Sequence, residues 1–432
     1  MKKNSFFKIT MLLIIGGFIT KILGMIIKII MTRLIGTEGI GIYMLIMPTF
    51  SLFVSIVQFG FPVAISKLVA EDQYRNKNLV FGIIPISLFI SFCIMIFLIF
   101  SGQFISIHLL HEERTYLGLI SIGFVLPFIA ISSILRAYYF GKEKMFPHVF
   151  SNILEDVIRL ILILIFIPMI IPSGISYVIA FLILISIFSE LSSIIIFMIF
   201  LPQKITIQKE DFIPKKSYLK NIFSISLPTT GSRIIGSIGY FLEPIILTFA
   251  LLKSGYTNQF IVLEYGIING YVMPLLLLPS FFTMAISQAV IPVISKSFSN
   301  GYINESKRKI KQAIFYSLLV GIPATLIFMF IPEIPLKLIY NTNEGITYIR
   351  VLAPICLLYY IQAPLNGCLQ AMGKAKEAMT GTLLGMCFRT FLLFIFCFCH
   401  IGMWGLIIAI GSNIIIVTLH QLKKVKQVFQ SI

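Results

Sequence analysis

The chain has 432 residues; 58% are hydrophobic, 12% are charged, and the formal net charge is +17. A soluble domain carries about 25% charged residues and far fewer apolar ones, so a mean hydropathy of +0.99 excludes a soluble globular protein and indicates an all-α polytopic membrane protein. The positive charge is dispersed over many short loops, which leaves no single basic patch for nucleic acid.

The chain begins with Lys2-Lys3 and an apolar run, the outline of a secretory signal. Lys21 and Lys28 interrupt that run, and no small-residue cleavage site is evident, so the segment reads as an uncleaved first span. Twelve apolar spans are predicted: 7–32, 40–66, 79–101, 115–140, 148–170 and 174–200, then 219–252, 264–294, 311–332, 346–371, 377–398 and 402–422. One set of alternate loops holds Lys2, Lys3 and Lys8, then Lys67, Arg75 and Lys77, Lys142 and Lys144, Lys204 to Lys220, Lys296 to Lys311, Lys374 and Lys376, and Lys423 to Lys426. The opposite loops hold only Arg33, Arg114, Lys253, Lys337 and Arg350. This asymmetry places both termini in the cytoplasm.

The one sizeable polar connection, rich in lysine, divides the chain into an N-terminal six-helix bundle (1–201), a cytoplasmic linker (202–218) and a C-terminal six-helix bundle (219–432). The halves echo each other. Thr20-Lys21-Ile22-Leu23-Gly24 resembles Ser232-Arg233-Ile234-Ile235-Gly236, and Pro48…Gln58…Pro62-Val63 resembles Pro279…Gln288…Pro292-Val293. Gly141-Lys142 resembles Gly373-Lys374, and Arg159 matches Arg389. Halves with an even number of spans insert in the same orientation, so they are expected to be related by a pseudo-two-fold axis along the membrane normal, with the substrate between them.

A charge inside a span costs about 2.5–3.5 kcal/mol on insertion scales, so it faces a cavity or a partner. In Ser226–Pro244, Arg233, Gly236, Tyr240 and Glu243 fall on one stripe at 100° per residue. Lys21, Lys28 and Arg233 are the candidates for a central cationic cavity suited to phosphate or carboxylate. Glu243 has three readings: a counter-ion to Lys28, an ion-coupling carboxylate, or an outer-interface residue. Arg389 is a further cavity candidate. Glu155 and Arg159, spaced i, i+4, and Glu190 in the next helix read as a structural ion-pair cluster. Arg136, near a helix end, reads as a snorkelling residue. Pro48, Pro62, Pro228, Pro244 and Pro292 are hinge candidates. The six cysteines lie in apolar runs without metal-ligand spacing and read as small buried hydrophobes. His108 and His111 read as a solvated loop, and no metal site is expected.

Three stretches carry a family resemblance: Arg33-Leu-Ile-Gly-Thr-Glu-Gly through Pro48, Arg136-Ala-Tyr-Tyr-Phe-Gly-Lys-Glu-Lys-Met-Phe-Pro147 with Glu155 and Arg159, and Leu227-Pro-Thr-Thr-Gly-Ser-Arg-Ile-Ile-Gly with Leu242-Glu-Pro244. They resemble the polysaccharide-exporter branch of the multidrug/oligosaccharidyl-lipid/polysaccharide (MOP) flippase superfamily. The related lipid II flippases carry Ser-Arg-x-Leu-Gly-Phe-x-Arg in the first helix. Thr20 to Lys28 matches it with lysine for both arginines and the second shifted by one residue.

The resemblance implies a bacterial cytoplasmic-membrane flippase that needs no cofactor. Its substrate would be an undecaprenyl-pyrophosphate-linked saccharide, a precursor of peptidoglycan or another surface glycan, with spore cortex among the destinations. Membrane potential or a coupled H⁺ or Na⁺ would drive it, and cell-wall synthases are candidate partners. Two other functions compete. A cation-coupled multidrug antiporter of the same fold needs buried carboxylates, and the first span has none. A non-transporting scaffold for cell-wall synthases would not need cations in mid-membrane.

Overall fold

In a computed structural model of the chain, residues 3–71, 76–201, 208–213 and 216–430 are described. Linker residues 202–207 and 214–215, and the side chains of Pro228 and Pro292, lie outside that description. Every long element is a helix, as a bilayer demands of a backbone that must satisfy its own N–H and C=O groups. Eleven helical stretches among the described residues are long and apolar enough to cross a membrane. Met11–Glu71 holds the first two spans predicted from sequence, and Asn258–Leu276 and Ser280–Ser299 divide what the sequence suggested was one. Met145–Ile170 is as long as the others but is not among the eleven, since it carries Glu155, Asp156 and Arg159.

The chain falls into two compact units, Met1–Ile245 and Ile246–Ile432. The first contains α1 (Lys3–Gln58), α2 (Phe61–Glu71), α3 (Asn76–Phe81), α4 (Ile84–Phe104), α5 (Tyr116–Gly141), α6 (Met145–Ile170), α7 (Ile175–Ile199) and α8 (Lys216–Lys253) as far as Ile245. The units therefore divide within α8, one residue past Pro244, rather than in the polar linker. The described part of that linker docks on α3: Asp211, buried, lies 3.0 Å from the Lys77 ammonium, and the rings of Phe81 and Phe212 are 5.5 Å apart.

A 56-residue helix would be about 84 Å long at 1.5 Å per residue, so α1 has to break to stay near the bilayer. It breaks at Gly36, with φ 68° and ψ −178°, a conformation open in practice only to glycine. The second break follows Gln58, where Phe59 (φ 43°) and Gly60 (φ 60°) take left-handed conformations. The predicted span 40–66 runs through this point, and the structure corrects it. The reason is a close approach by α8: a Cβ on Gly60 would lie 2.7 Å from the Ser226 carbonyl oxygen and 3.0 Å from Thr230 Oγ1. One turn earlier, the hydroxyls of Ser55 and Ser237 are 2.7 Å apart. The breaks in α1 fall at these residues and leave Pro48 inside continuous helix, while Pro62 sits in the first turn of α2 and Pro244 inside α8.

Lipid tails are as apolar as leucine, so membrane helices associate by close packing of small residues. Helix α5 fits this: Gly118, Ser121, Gly123, Ala130, Ser132, Ser133, Ala137 and Gly141 are all buried along it. Toward its end Tyr139 stacks on Phe197 of α7 (centroids 5.2 Å apart) and its hydroxyl donates to the Phe197 carbonyl.

The second unit holds the rest of α8, α9 (Asn258–Gly266), α10 (Met273–Leu276), α11 (Ser280–Ser299), α12 (Ile303–Phe330), α13 (Glu333–Tyr340), α14 (Ile346–Ala371), α15 (Ala375–Cys397) and α16 (Trp404–Gln430). Helix α14 is its spine. Tyr360 donates to the Leu276 carbonyl (2.7 Å), and Gln362 Nε2 donates to the Ile414 carbonyl (3.0 Å) and Thr418 Oγ1 (2.9 Å) on α16. Of the six cysteines, Cys356, Cys368 and Cys397 are buried as the sequence suggested; Cys93 on α4, Cys387 on α15 and Cys399 in the turn after α15 are exposed instead.

Gly36→Ala should lower the thermal unfolding midpoint of the detergent-solubilised protein, by a destabilisation of about 1–3 kcal/mol. Gly231→Ala, in open helix, should leave it unchanged or raise it slightly. An unchanged midpoint for Gly36→Ala would show that this joint does not depend on its backbone conformation.

Candidate functional site: two cavities joined by a shared carboxylate

Helices α1, α2, α5, α6 and α8 of the first unit enclose a cavity of about 880 Å³. Its wall is mostly apolar, with Leu13, Pro62, Val63, Phe140 and Met145 among its residues, and it carries the cations Lys67, Arg136 and Arg233. Glu143 and His148 also line it. It lies at the end of the bundle marked by the basic residues Lys67, on α2, and Lys142, just after α5.

A second cavity, of about 650 Å³, lies between α1, α6, α7 and α8. Lys28, Arg159 and Glu190 are its charged residues, set among Met31, Met44, Met47 and Phe50 with Tyr43, Ser51, Ser186 and Tyr240. Gln58, the last helical residue before the α1 break, lines both cavities.

The cavities are joined by an ion-pair chain. Arg136 Nη2 donates to Glu155 Oε2 at 3.0 Å, and Arg159 Nη2 donates to Glu155 Oε1 at 3.0 Å. Each oxygen of one carboxylate thus holds an arginine, one on the wall of each cavity. Arg136 Nη2 also lies 3.4 Å from Ser193 Oγ, and Arg159 Nη1 is 3.9 Å from Asp156. Glu190 is buried and accepts a hydrogen bond from Ser132, and no cation lies within ion-pair distance of it among the described residues. On α6, His148, Asn152, Glu155 and Arg159 follow one another at spacings that keep one helical face, so a polar stripe runs from the first cavity toward the second.

The candidates named from sequence are distributed as follows. Lys28 lines the second cavity and Arg233 the first. Lys21 is exposed and lines neither. No ion pair among the described residues engages these three cations. Glu243 is buried and lines neither cavity. Arg389 belongs to α15, in the second unit. Glu155 and Arg159 are paired, while Glu190 stands beside the pair, bonded to serine. Arg136, expected to snorkel, is ion-paired instead, and with Lys67, His148 and Gln58 it is a cavity residue that sequence reasoning missed. The signal for His148 and Asn152 was present in the four- and three-residue spacings leading to Glu155.

These elements define a class: a multi-pass helical membrane protein whose internal cavities carry cations in largely apolar walls. Solved structures of membrane transporters have the same fold. An inward-facing multidrug resistance MATE family transporter of the MOP superfamily superposes with a TM-score of 0.72 over 95% of each chain, at 16% identity. The family described as Polysaccharide biosynthesis protein matches residues 6–298, and the MatE family matches residues 269–395. Stage V sporulation protein B of Bacillus subtilis (strain 168) is 36% identical over 431 residues, 97% of this chain and 83% of that one. Lipid II flippase MurJ of the same organism is 20% identical over 410 residues, 87% of this chain and 74% of that one. The chain therefore belongs to the polysaccharide biosynthesis protein family, and it is a multi-pass protein of the bacterial cytoplasmic membrane.

A double-mutant cycle on Arg136→Gln and Glu155→Gln, read by thermal unfolding, should give a coupling of about 1 kcal/mol, since the pair is only partly screened. Strict additivity would show that the pair contributes nothing to the fold.

Proposed function

We propose that the protein is a flippase that carries an undecaprenyl-pyrophosphate-linked saccharide from the cytoplasmic to the outer leaflet. The observation that carries this reading is the first cavity, where Arg233, Arg136 and Lys67 stand in a mostly apolar wall. A lipid diphosphate needs both halves of that chemistry: cations for the diphosphate and apolar surface for the prenyl chain beside it. The cavity lies at the basic end of the bundle, which the distribution of lysine and arginine assigns to the cytoplasm. The relative named as a lipid II flippase supports a lipid-linked cargo, and the family description supports a saccharide. A spore-cortex destination is the reading favoured by the relative named for sporulation.

In this account twelve spans form two six-helix bundles, 1–201 and 219–432, with both termini cytoplasmic. The head group enters the first cavity, the bundles rock about breaks such as Phe59–Gly60 and prolines such as Pro62 and Pro244, and the site opens outward. Lys28 lies farther along the route, in the second cavity. A negative-inside potential favours outward movement of the anion, by about 2.3 kcal/mol per charge per 100 mV. Cell-wall synthases downstream would consume the product.

A second reading has its own observation. Glu190 sits in a methionine- and aromatic-lined cavity of a fold shared with multidrug transporters, a setting suited to a lipophilic cation. Ethidium export that depends on Glu190 would favour that reading.

Arg233→Ala should fail to complement a flippase-deficient strain while its membrane abundance stays normal, and Arg233→Lys should complement in part. Full complementation by Arg233→Ala would remove the assignment of this arginine to the cargo.

A further inference from the structure

The Arg136–Glu155–Arg159 chain is unusual because both arginines face cavities while the carboxylate between them does not. The side chains of Arg136 and Arg159 are 31% and 29% exposed, and that of Glu155 is 12% exposed. The Arg136 guanidinium has five N–H donors, and both of its hydrogen bonds, to Glu155 and Ser193, leave from Nη2. Its Nε is buried and has no partner among the described residues, as is true of Arg159 Nε, His148 Nδ1 and Asn152 Oδ1. Arg136 and His148 both line the first cavity. A buried polar atom without a partner costs about 1–3 kcal/mol, so this corner is incompletely satisfied around one ion pair.

We propose that Arg136 is part of a diphosphate-binding site in the first cavity, and that the arriving anion takes Arg136 from Glu155. The inference rests on the lipid-diphosphate reading above and adds a residue and a switch to it. With Glu155 attached, Arg136 is neutralised and the cavity presents mainly Arg233 and Lys67, the latter loosely paired with Glu71 at 3.9 Å. A diphosphate carries more charge than a carboxylate and offers several acceptor oxygens, so it competes well for a guanidinium fork. His148, on the same wall, adds a ring nitrogen that can donate to it. Once Arg136 is taken, Glu155 is left to Arg159 alone, and Arg159 lines the second cavity. One carboxylate thereby reports occupancy of the first cavity to the charge balance of the second. Glu143 is the one acidic side chain lining this cavity among the described residues, and it disfavours an anion placed beside it.

The test is equilibrium binding to the purified full chain in detergent, with farnesyl diphosphate as probe and inorganic pyrophosphate and farnesol as comparison arms. Farnesyl diphosphate should bind, inorganic pyrophosphate should bind more weakly, and farnesol should not compete; pyrophosphate binding equally well would assign the site to a free anion and overturn a lipid diphosphate as its ligand. Arg136→Gln should weaken farnesyl diphosphate by about tenfold, the worth of one charge-assisted hydrogen bond, and Arg136→Lys should restore part of the loss. Glu155→Gln should tighten binding by about threefold or more, because it removes the competitor for Arg136. A merely structural role for Glu155 would not produce that gain. The double variant Arg136→Gln/Glu155→Gln removes the pair as a unit and should bind like Arg136→Gln, which guards against misfolding of either single variant. Arg350→Gln, at the Glu333 surface pair of the second unit, should leave affinity unchanged. If Arg136→Gln binds as the parent does while Arg233→Ala loses binding, this inference falls and the lipid-diphosphate reading stands. If Glu155→Gln weakens binding as much as Arg136→Gln, the carboxylate only positions the arginine and the switch is overturned. If the parent protein ignores farnesyl diphosphate at millimolar concentration, both readings fall.

Discussion

A charge inside a membrane span has to be answered by a partner or by water, and the first unit answers its charges in two ways. Glu155 neutralises Arg136 and Arg159 together, one with each carboxylate oxygen. Lys28 and Arg233 are answered by cavities instead, with no ion pair among the described residues. Remove Glu155 and two part-buried arginines lose their common partner at once, a larger change than loss of a single surface pair. The cavities therefore share more than a wall, since the same carboxylate sets the charge on both sides.

The backbone obeys an equally strict rule. Each crossing segment has to close its own hydrogen bonds, so flexibility is confined to positions where a helix can end. In α1 these are Gly36 and Phe59–Gly60, and the second is pressed against α8 at Ser226, Thr229 and Thr230. Gln58 faces both cavities from that break. Any movement of α8 against α1 is thus felt where the two cavities meet, which is the property that alternating access requires of its moving parts in the proposed cycle.

Much of this was legible in the sequence, because bilayer thickness makes hydropathy a strong signal. Spans such as 346–371 and 174–200 coincide with their helices to within a residue or so. The Glu155–Arg159 pair was legible because it is local to one helix. Three features were not. The break at Phe59–Gly60 had only the nearby hinge candidate Pro62 to signal it, and glycine and proline are common in membrane helices, so the approach of α8 is what fixes its place. The pairing of Arg136 with Glu155 depends on how α5 and α6 pack, and near a helix end snorkelling was the natural expectation. The placement of Arg233 and Lys28 on the walls of different cavities was the third, since matching motifs place residues along their helices but not on the walls that tertiary packing builds.

The most direct test of the central claim is translocation of a fluorescent undecaprenyl-pyrophosphate-linked saccharide in liposomes that contain this protein alone, under an imposed inside-negative potential. The account predicts transfer between leaflets that stops when the parent protein is replaced by Arg233→Ala of equal fold and abundance. Transfer that is indifferent to this arginine, or none from folded protein across several lipid-linked saccharides, would contradict it.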